Sequence, residues 1–328
     1  MLSFEDFPVG WSRSLGPRVV GEDEIVAFAR VFDPQPFHTD PSSPEAGRMG
    51  SLIASGWHTC ALTMRMMCDA YLLETRSQGS AGLDSVRWLA PLRPGDALSG
   101  EAEVTDARRS RSMPGLGLLT FRYTLRNQEG TDVIAIEGNG MILTRDAGEP
   151  AKIAPRPGAI DEPPGPVTPA EGCNAYQRIA PGMVTEYEPV PVDANETVAF
   201  AAQFDPQPFH LDPKAARESH FGRLSASGWH TCALWMRENV LRGHERLALM
   251  LGMEPDEVVF GPSPGVRNLR WLHPVFAGDT LRFRSTVQGK RASTRRPGQG
   301  IVRNHIEGWN QDGVQVLTMD GAVTMPTG

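Results

Sequence analysis

The chain contains itself twice, and this repetition limits its possible folds more than any other feature. Residues 33–38 read DPQPFH, and residues 205–210 read DPQPFH again, 172 positions later. Residues 54–62 read ASGWHTCAL, and so do residues 226–234, at the same offset. In that register Phe4 pairs with Tyr176, Gly10 with Gly182 and Phe28 with Phe200. Farther on, Arg87-Trp88-Leu89 matches Arg270-Trp271-Leu272, Gly95-Asp96 matches Gly278-Asp279, and Asn127-Gln128 matches Asn310-Gln311, now 183 positions apart. The second copy therefore carries 11 extra residues, which fall around residues 245–265 and read as a longer loop or lid. Two like domains are expected, residues 1–145 and 173–328, joined by residues 146–172. The joining segment holds Pro150, Pro155, Pro157, Pro163, Pro164, Pro166 and Pro169, so it reads as an extended, semi-rigid strap.

Local patterns place the repeated blocks on elements. Ile25, Phe28 and Phe32 recur at helical spacing behind an acidic first turn, and Asp193 with Glu196 forms a capping pattern before Val198 and Phe200. Both helices should stop at Asp33 and Asp205, because a following proline disfavours the α region. The DPQPFH block then reads as a stiff non-helical turn. Asp40-Pro41 and Asp212-Pro213 read as N-caps with proline opening a short helix. Ser55 and Ser227 read as the caps of longer helices over residues 57–73 and 229–241, rich in Leu, Met and Ala. Residues 86–92, 97–104, 116–125 and 132–143 read as strands separated by Gly and Asn turns. A long helix followed by an antiparallel meander is an α+β unit with its sheet curled around the helix.

Composition narrows the function. Apolar residues make up 40% of the 328, enough for a packed core, and the net charge of −7 argues against a nucleic-acid partner. The longest apolar run falls short of the roughly 18 residues a membrane helix needs, and no signal peptide is visible at the N-terminus. Cys60, Cys68, Cys173 and Cys232 include no C-x-x-C pair, so reduced thiols and a cytoplasmic location are expected.

The chemistry-bearing groups are Asp33 with His38, and Asp205 with His210, each pair pinned on a proline-stiffened bend. A carboxylate and an imidazole so placed can hold one water between them and move its protons. The step into the long helix offers unpaired N–H groups at Gly56 and Gly228, where an oxyanion such as a thioester enolate could be stabilised. These residues, with the pattern R-W-L-x-P-x-x-x-G-D, resemble the MaoC-like, (R)-specific enoyl-CoA hydratases. The resemblance spans nearly the whole chain apart from the strap, and implies two hotdog domains packed as an intramolecular pseudo-dimer. It implies that Asp33 and His38, and likewise Asp205 and His210, activate water, and that Gly56 and Gly228 begin the hotdog helices. The family's usual Asn is replaced by Gln35 and Gln207, and Ser55 and Ser227 precede the helix glycines. Because both copies keep the acid and the imidazole, two competent sites are expected.

Around this core, Ser55, Ser227, Trp57, Trp229, His58 and His230 are candidates to line the substrate, although both histidines could instead pack against a strand. Arg109, Arg111, Arg291 and Arg295 are candidates for the phosphates of coenzyme A, against the plainer reading of a solvated charge run. Arg87 and Arg270 could meet a substrate carboxylate or a structural acid. Cys60 and Cys232 read as buried small apolar residues, and Met64, Met66 and Met67 as core. The expected activity is reversible hydration of a trans-2-enoyl-CoA to an (R)-3-hydroxyacyl-CoA, with no metal or other cofactor. A hotdog acyl-CoA thioesterase and a non-catalytic acyl-CoA binder are the rivals. Exposed sheet edges offer a route to a homodimer.

Overall fold

A computed structural model describes residues 1–148, 153, 158–294 and 296–328; Pro150, Pro155, Pro157 and Arg295 lie outside the described residues. The first repeat supplies strands β1 (Ser12–Val19), β2 (Gly82–Trp88), β3 (Ala97–Arg109), β4 (Leu116–Arg126) and β5 (Asp132–Leu143). The second supplies β6 (Val184–Glu186), β7 (Val190–Pro191), β8 (Gly265–Trp271), β9 (Thr280–Ala292), β10 (Gln299–Trp309) and β11 (Gln315–Pro326). In each repeat an antiparallel meander curls around one central helix, Gly56–Ala70 in the first and Gly228–Glu238 in the second. This is the hotdog arrangement, present twice. The sheets join edge to edge where β2 pairs with β8, giving the order β1-β3-β4-β5-β2-β8-β11-β10-β9-β6. Arg270 crosses this junction, donating to the Leu83 carbonyl at 2.7 Å and to the Asp84 carboxylate at 2.8 Å. It therefore serves a structural acid.

The helices before the active bends fall where their patterns put them. Glu22–Phe32 buries Ile25, Phe28 and Phe32, and Ala194–Phe204 is capped by Asp193, which accepts from the Glu196 N–H at 2.8 Å. Both stop at the residue before Asp33 or Asp205. The DPQPFH block departs from the expected non-helical turn: Pro36–Thr39 and Pro208–Leu211 each form one helical turn. Proline opens both, where its missing N–H has no intrahelical partner to lose. Asp212 caps the N-terminus of the next helix, Pro213–Glu218, as expected, but Asp40 opens no helix. Its carboxylate turns to Ser42, and the helix Pro44–Arg48 begins instead behind Ser43. The first repeat offers two prolines there, and the helix uses the later one.

A further departure concerns the inserted residues. The second central helix runs through a π-helical turn, Asn239–Gly243, into another helix, His244–Leu251, which ends at Gly252 in the left-handed region (φ 62°). Ala248 and Leu251 on it are buried, so this part of the insertion is packed structure and not a loop. Among the described residues no helix is long and apolar enough to cross a membrane.

The repeats meet through their helices. Phe28 packs edge-on to Phe204, and Phe32 to Phe200, each with ring centroids 5.6 Å apart. His58 stacks on Phe28 at 4.6 Å and His230 on Phe200 at 4.8 Å, both completely buried. At the helix starts, the indoles of Trp88 and Trp271 lie against Gly56 and Gly228 and donate to their carbonyls at 2.9 and 3.0 Å. A Cβ on either glycine would overlap the indole. A tryptophan therefore requires glycine at both positions.

Two outcomes follow from this packing. Gly228→Ala should displace Trp271 and lower stability by about 1–3 kcal/mol, the usual cost of overfilling a packed site, read from the urea midpoint. Burial, aided by the Arg18 charge, pushes the His58 imidazole down to about 3, and burial also lowers that of His230. The unfolded chain therefore takes up protons on these rings near pH 6.5 while the folded chain does not. Stability should fall as pH drops from about 6.5 toward 3, and the His58→Leu, His230→Leu double variant should show a shallower loss in urea titrations across that window.

Candidate active site

Each DPQPFH turn folds its acid and imidazole toward one another. Asp33 Oδ2 lies 3.5 Å from His38 Nε2, and Asp205 Oδ2 lies 3.4 Å from His210 Nε2; all four residues are buried. His38 Nδ1 donates to the Ile53 carbonyl at 2.7 Å, and His210 Nδ1 to the Ser225 carbonyl at 2.7 Å. A carbonyl can only accept, so the neutral ring carries its remaining lone pair on Nε2, the nitrogen that faces the carboxylate. An acceptor nitrogen and an acceptor carboxylate set this close define a place for one water donating to both.

The carboxylates are themselves held. Asp33 accepts from Gln35 Nε2 at 2.8 Å and from the Ser55 hydroxyl at 2.6 Å; Asp205 accepts from Gln207 at 2.9 Å and Ser227 at 2.7 Å. The same Ser hydroxyls accept from the N–H groups of Trp57 and Trp229, capping the central helices. Ser55 and Ser227 therefore tie the acid to the helix start, and Ser227 also lines the cavity beside Asp205. Gly56 and Gly228 are first helical residues, whose N–H groups have no acceptor within the helix. The positive helix end is thereby fixed beside the acid–imidazole pair.

Beside Asp205 and His210 lies a cavity of about 300 Å³, also lined by Gly228 and Trp229. Its opposite wall comes from the first repeat, through Met64, Met67, Tyr71, Tyr123 and the inner face of β5. Cys68, also of the first repeat, reaches Asp205 Oδ1 with its sulfur at 3.7 Å; burial and the Asp205 charge hold its thiol far above the usual range. The second site is thus shared by both repeats.

Other sequence candidates fall elsewhere. His58 and His230 point into the helix interface, and Trp57 packs on Trp88 and Trp235. Cys60 and Cys232 are buried among apolar neighbours as expected. Arg109 pairs with Glu5 at 2.8 Å and reaches Asp146 at 3.6 Å, while Arg111, Arg291 and Arg87 are exposed and do not line the cavity. Arg295 lies outside the described residues. Sequence reasoning did not single out Gln35, Gln207, Cys68, Tyr71 or Tyr123 as working parts. The repeated glutamines two residues after the acids were the available signal; the wall residues needed the fold.

Comparison with known proteins agrees with this architecture. The MaoC like domain family matches residues 9–118 and again 177–310. The uncharacterized protein YdeM of Bacillus subtilis is 27% identical over 144 residues, covering 44% of this chain and 99% of its own. A protein of Chloroflexus aurantiacus described as a MaoC domain protein dehydratase superposes with a TM-score of 0.74 at 19% identity, covering 99% of this chain and 97% of that one. A conserved hypothetical protein of Mycobacterium tuberculosis with a double hotdog fold gives 0.67 at 18% identity, covering 99% and 98%. Identities this low speak for the fold alone. The two matched segments span most of the sequence, one in each repeat, and the chain belongs to the MaoC-like dehydratase family as a tandem of two such domains.

Proposed function

We propose that the protein is a hydro-lyase that adds water reversibly to a trans-2-enoyl-CoA, forming an (R)-3-hydroxyacyl-CoA. The observation that carries this reading is the orientation of the two imidazoles: each spends Nδ1–H on a backbone carbonyl and turns Nε2 to an aspartate 3.4–3.5 Å away, next to a helix start. The family's general activity as hydratases and dehydratases supports the same class of reaction.

In the forward direction the aspartate and the imidazole hold the water. Its oxygen bonds to the β-carbon as one of its protons passes to the pair. The electron pair of the double bond moves toward the thioester carbonyl, where the N–H of Gly56 or Gly228 meets the developing enolate oxygen. The proton held by the pair is then delivered to the α-carbon, and dehydration reverses these steps. Acid–base groups of this kind contribute about 10²–10⁴-fold and one oxyanion donor about 10²–10³-fold. Ser55 and Ser227 hold the carboxylate in place, and Gln35 and Gln207 fix its other oxygen. Coenzyme A is part of the substrate, and no step requires a metal or a bound cofactor.

Hydration of crotonyl-CoA, followed by loss of the enoyl absorbance, tests the reading. Asp33→Asn and Asp205→Asn should each remove about half the turnover, and the double variant nearly all of it. Complete loss in one single variant would refute two working sites, and release of free CoA thiol in place of hydration would mark a thioesterase. Ser227→Ala removes a cap and a carboxylate anchor together. It should cost about 1 kcal/mol of stability in urea titrations. In an Asp33→Asn background it should also lower kcat about tenfold.

A further inference from the structure

The two acid–imidazole pairs are near copies, but the walls they face have diverged. Beside Asp205 and His210, the cavity reaches two buried phenols of the first repeat, Tyr71 and Tyr123, whose hydroxyls lie 3.1 Å apart. Two hydroxyls share two protons, and a single hydrogen bond between them uses one. The other remains for a ligand oxygen, and the setting of burial keeps both phenols protonated. Phe121 and Trp229 add aromatic faces to a wall otherwise built largely from Met, Leu and Ile side chains. Flat rings suit such surfaces through edge and face contacts.

The repeat register shows what stands in the same places beside Asp33 and His38. Tyr71 corresponds to Gly243, Tyr123 to Ile306, Gly140 to Val323 and Ile142 to Met325. A Cβ on Gly243 would stand 3.0 Å from the ring of Tyr187, so that position is filled from another direction. Val323 and Met325 pack in an apolar cluster with Ala248, Leu251 and Val258. These last three belong to the stretch that makes the second repeat longer. The wall bordering open space in the first repeat is covered by side chains in the second.

We propose that the two sites divide substrates by their acyl group. The Asp205–His210 site accepts an aryl acyl group with an oxygen acceptor on its ring, received by the Tyr71–Tyr123 pair. The Asp33–His38 site accepts short acyl groups only. This rests on the hydratase reading and assigns it a substrate class.

The test compares 4-methoxycinnamoyl-CoA with crotonyl-CoA on the full chain. Relative to wild type, the aryl-to-crotonyl rate ratio should fall more than tenfold in Asp205→Asn and rise about twofold in Asp33→Asn. In Tyr123→Phe, KM for 4-methoxycinnamoyl-CoA should rise about tenfold relative to KM for unsubstituted cinnamoyl-CoA. Equal ratios in the two aspartate variants, or no change in relative KM, would overturn the proposal. If wild type hydrates none of these thioesters, the hydratase reading fails, and calorimetry with saturated 3-(4-methoxyphenyl)propanoyl-CoA decides the division separately. One molecule bound per chain, weakened about tenfold by Tyr123→Phe, supports it; two per chain, none, or indifference to the variant overturns it.

Discussion

Neither repeat can bury the outward side of its own central helix, and the rest of the molecule is arranged around that deficit. The helix Gly56–Ala70 is buried on nearly every side, yet its own sheet wraps only part of it. The remaining face is covered by the other repeat, through Phe204 against His58 and Trp235 against Trp57. Continuous pairing of β2 with β8 then fixes the two sheets in one register. Because apolar burial is the dominant favourable term in folding, this shared face holds the two repeats against one another.

Chemistry is placed by the same economy of contacts. The Ser55 and Ser227 hydroxyls cap a helix and hold a carboxylate at once, so the acid cannot drift from the helix start without uncapping it. The imidazoles are fixed by backbone carbonyls fifteen residues away, on the strand-like approach to that same helix. Geometry of this kind is over-determined, and so it can be identical in two repeats whose other residues differ widely.

Much of this was legible in the sequence, because repeated blocks carry rigid chemistry. The starts of the central helices, the strand turns and the acid–imidazole pairs follow from proline, glycine and cap residues acting locally. Three things did not. The helical turn Pro36–Thr39 was hidden because two prolines in four residues read as a break, although one of them sits where a helix tolerates it. The helix His244–Leu251 was hidden because it has no counterpart in the first repeat, and an insertion reads as a loop by default. The cavity wall was hidden because Tyr71 and Tyr123 lie far from Asp205 in sequence and meet it only across the pseudo-twofold packing.

The sulfur of Cys68 beside Asp205 shows what such sharing means for inheritance. Its counterpart is Val240, so the two acids, identical in their own turns, have unlike neighbours supplied from across the body. A substitution in one half can therefore change the surroundings of the acid in the other half while leaving that half's own turn untouched. The turn that carries Asp205 and the sulfur beside its carboxylate thus belong to different halves of one chain.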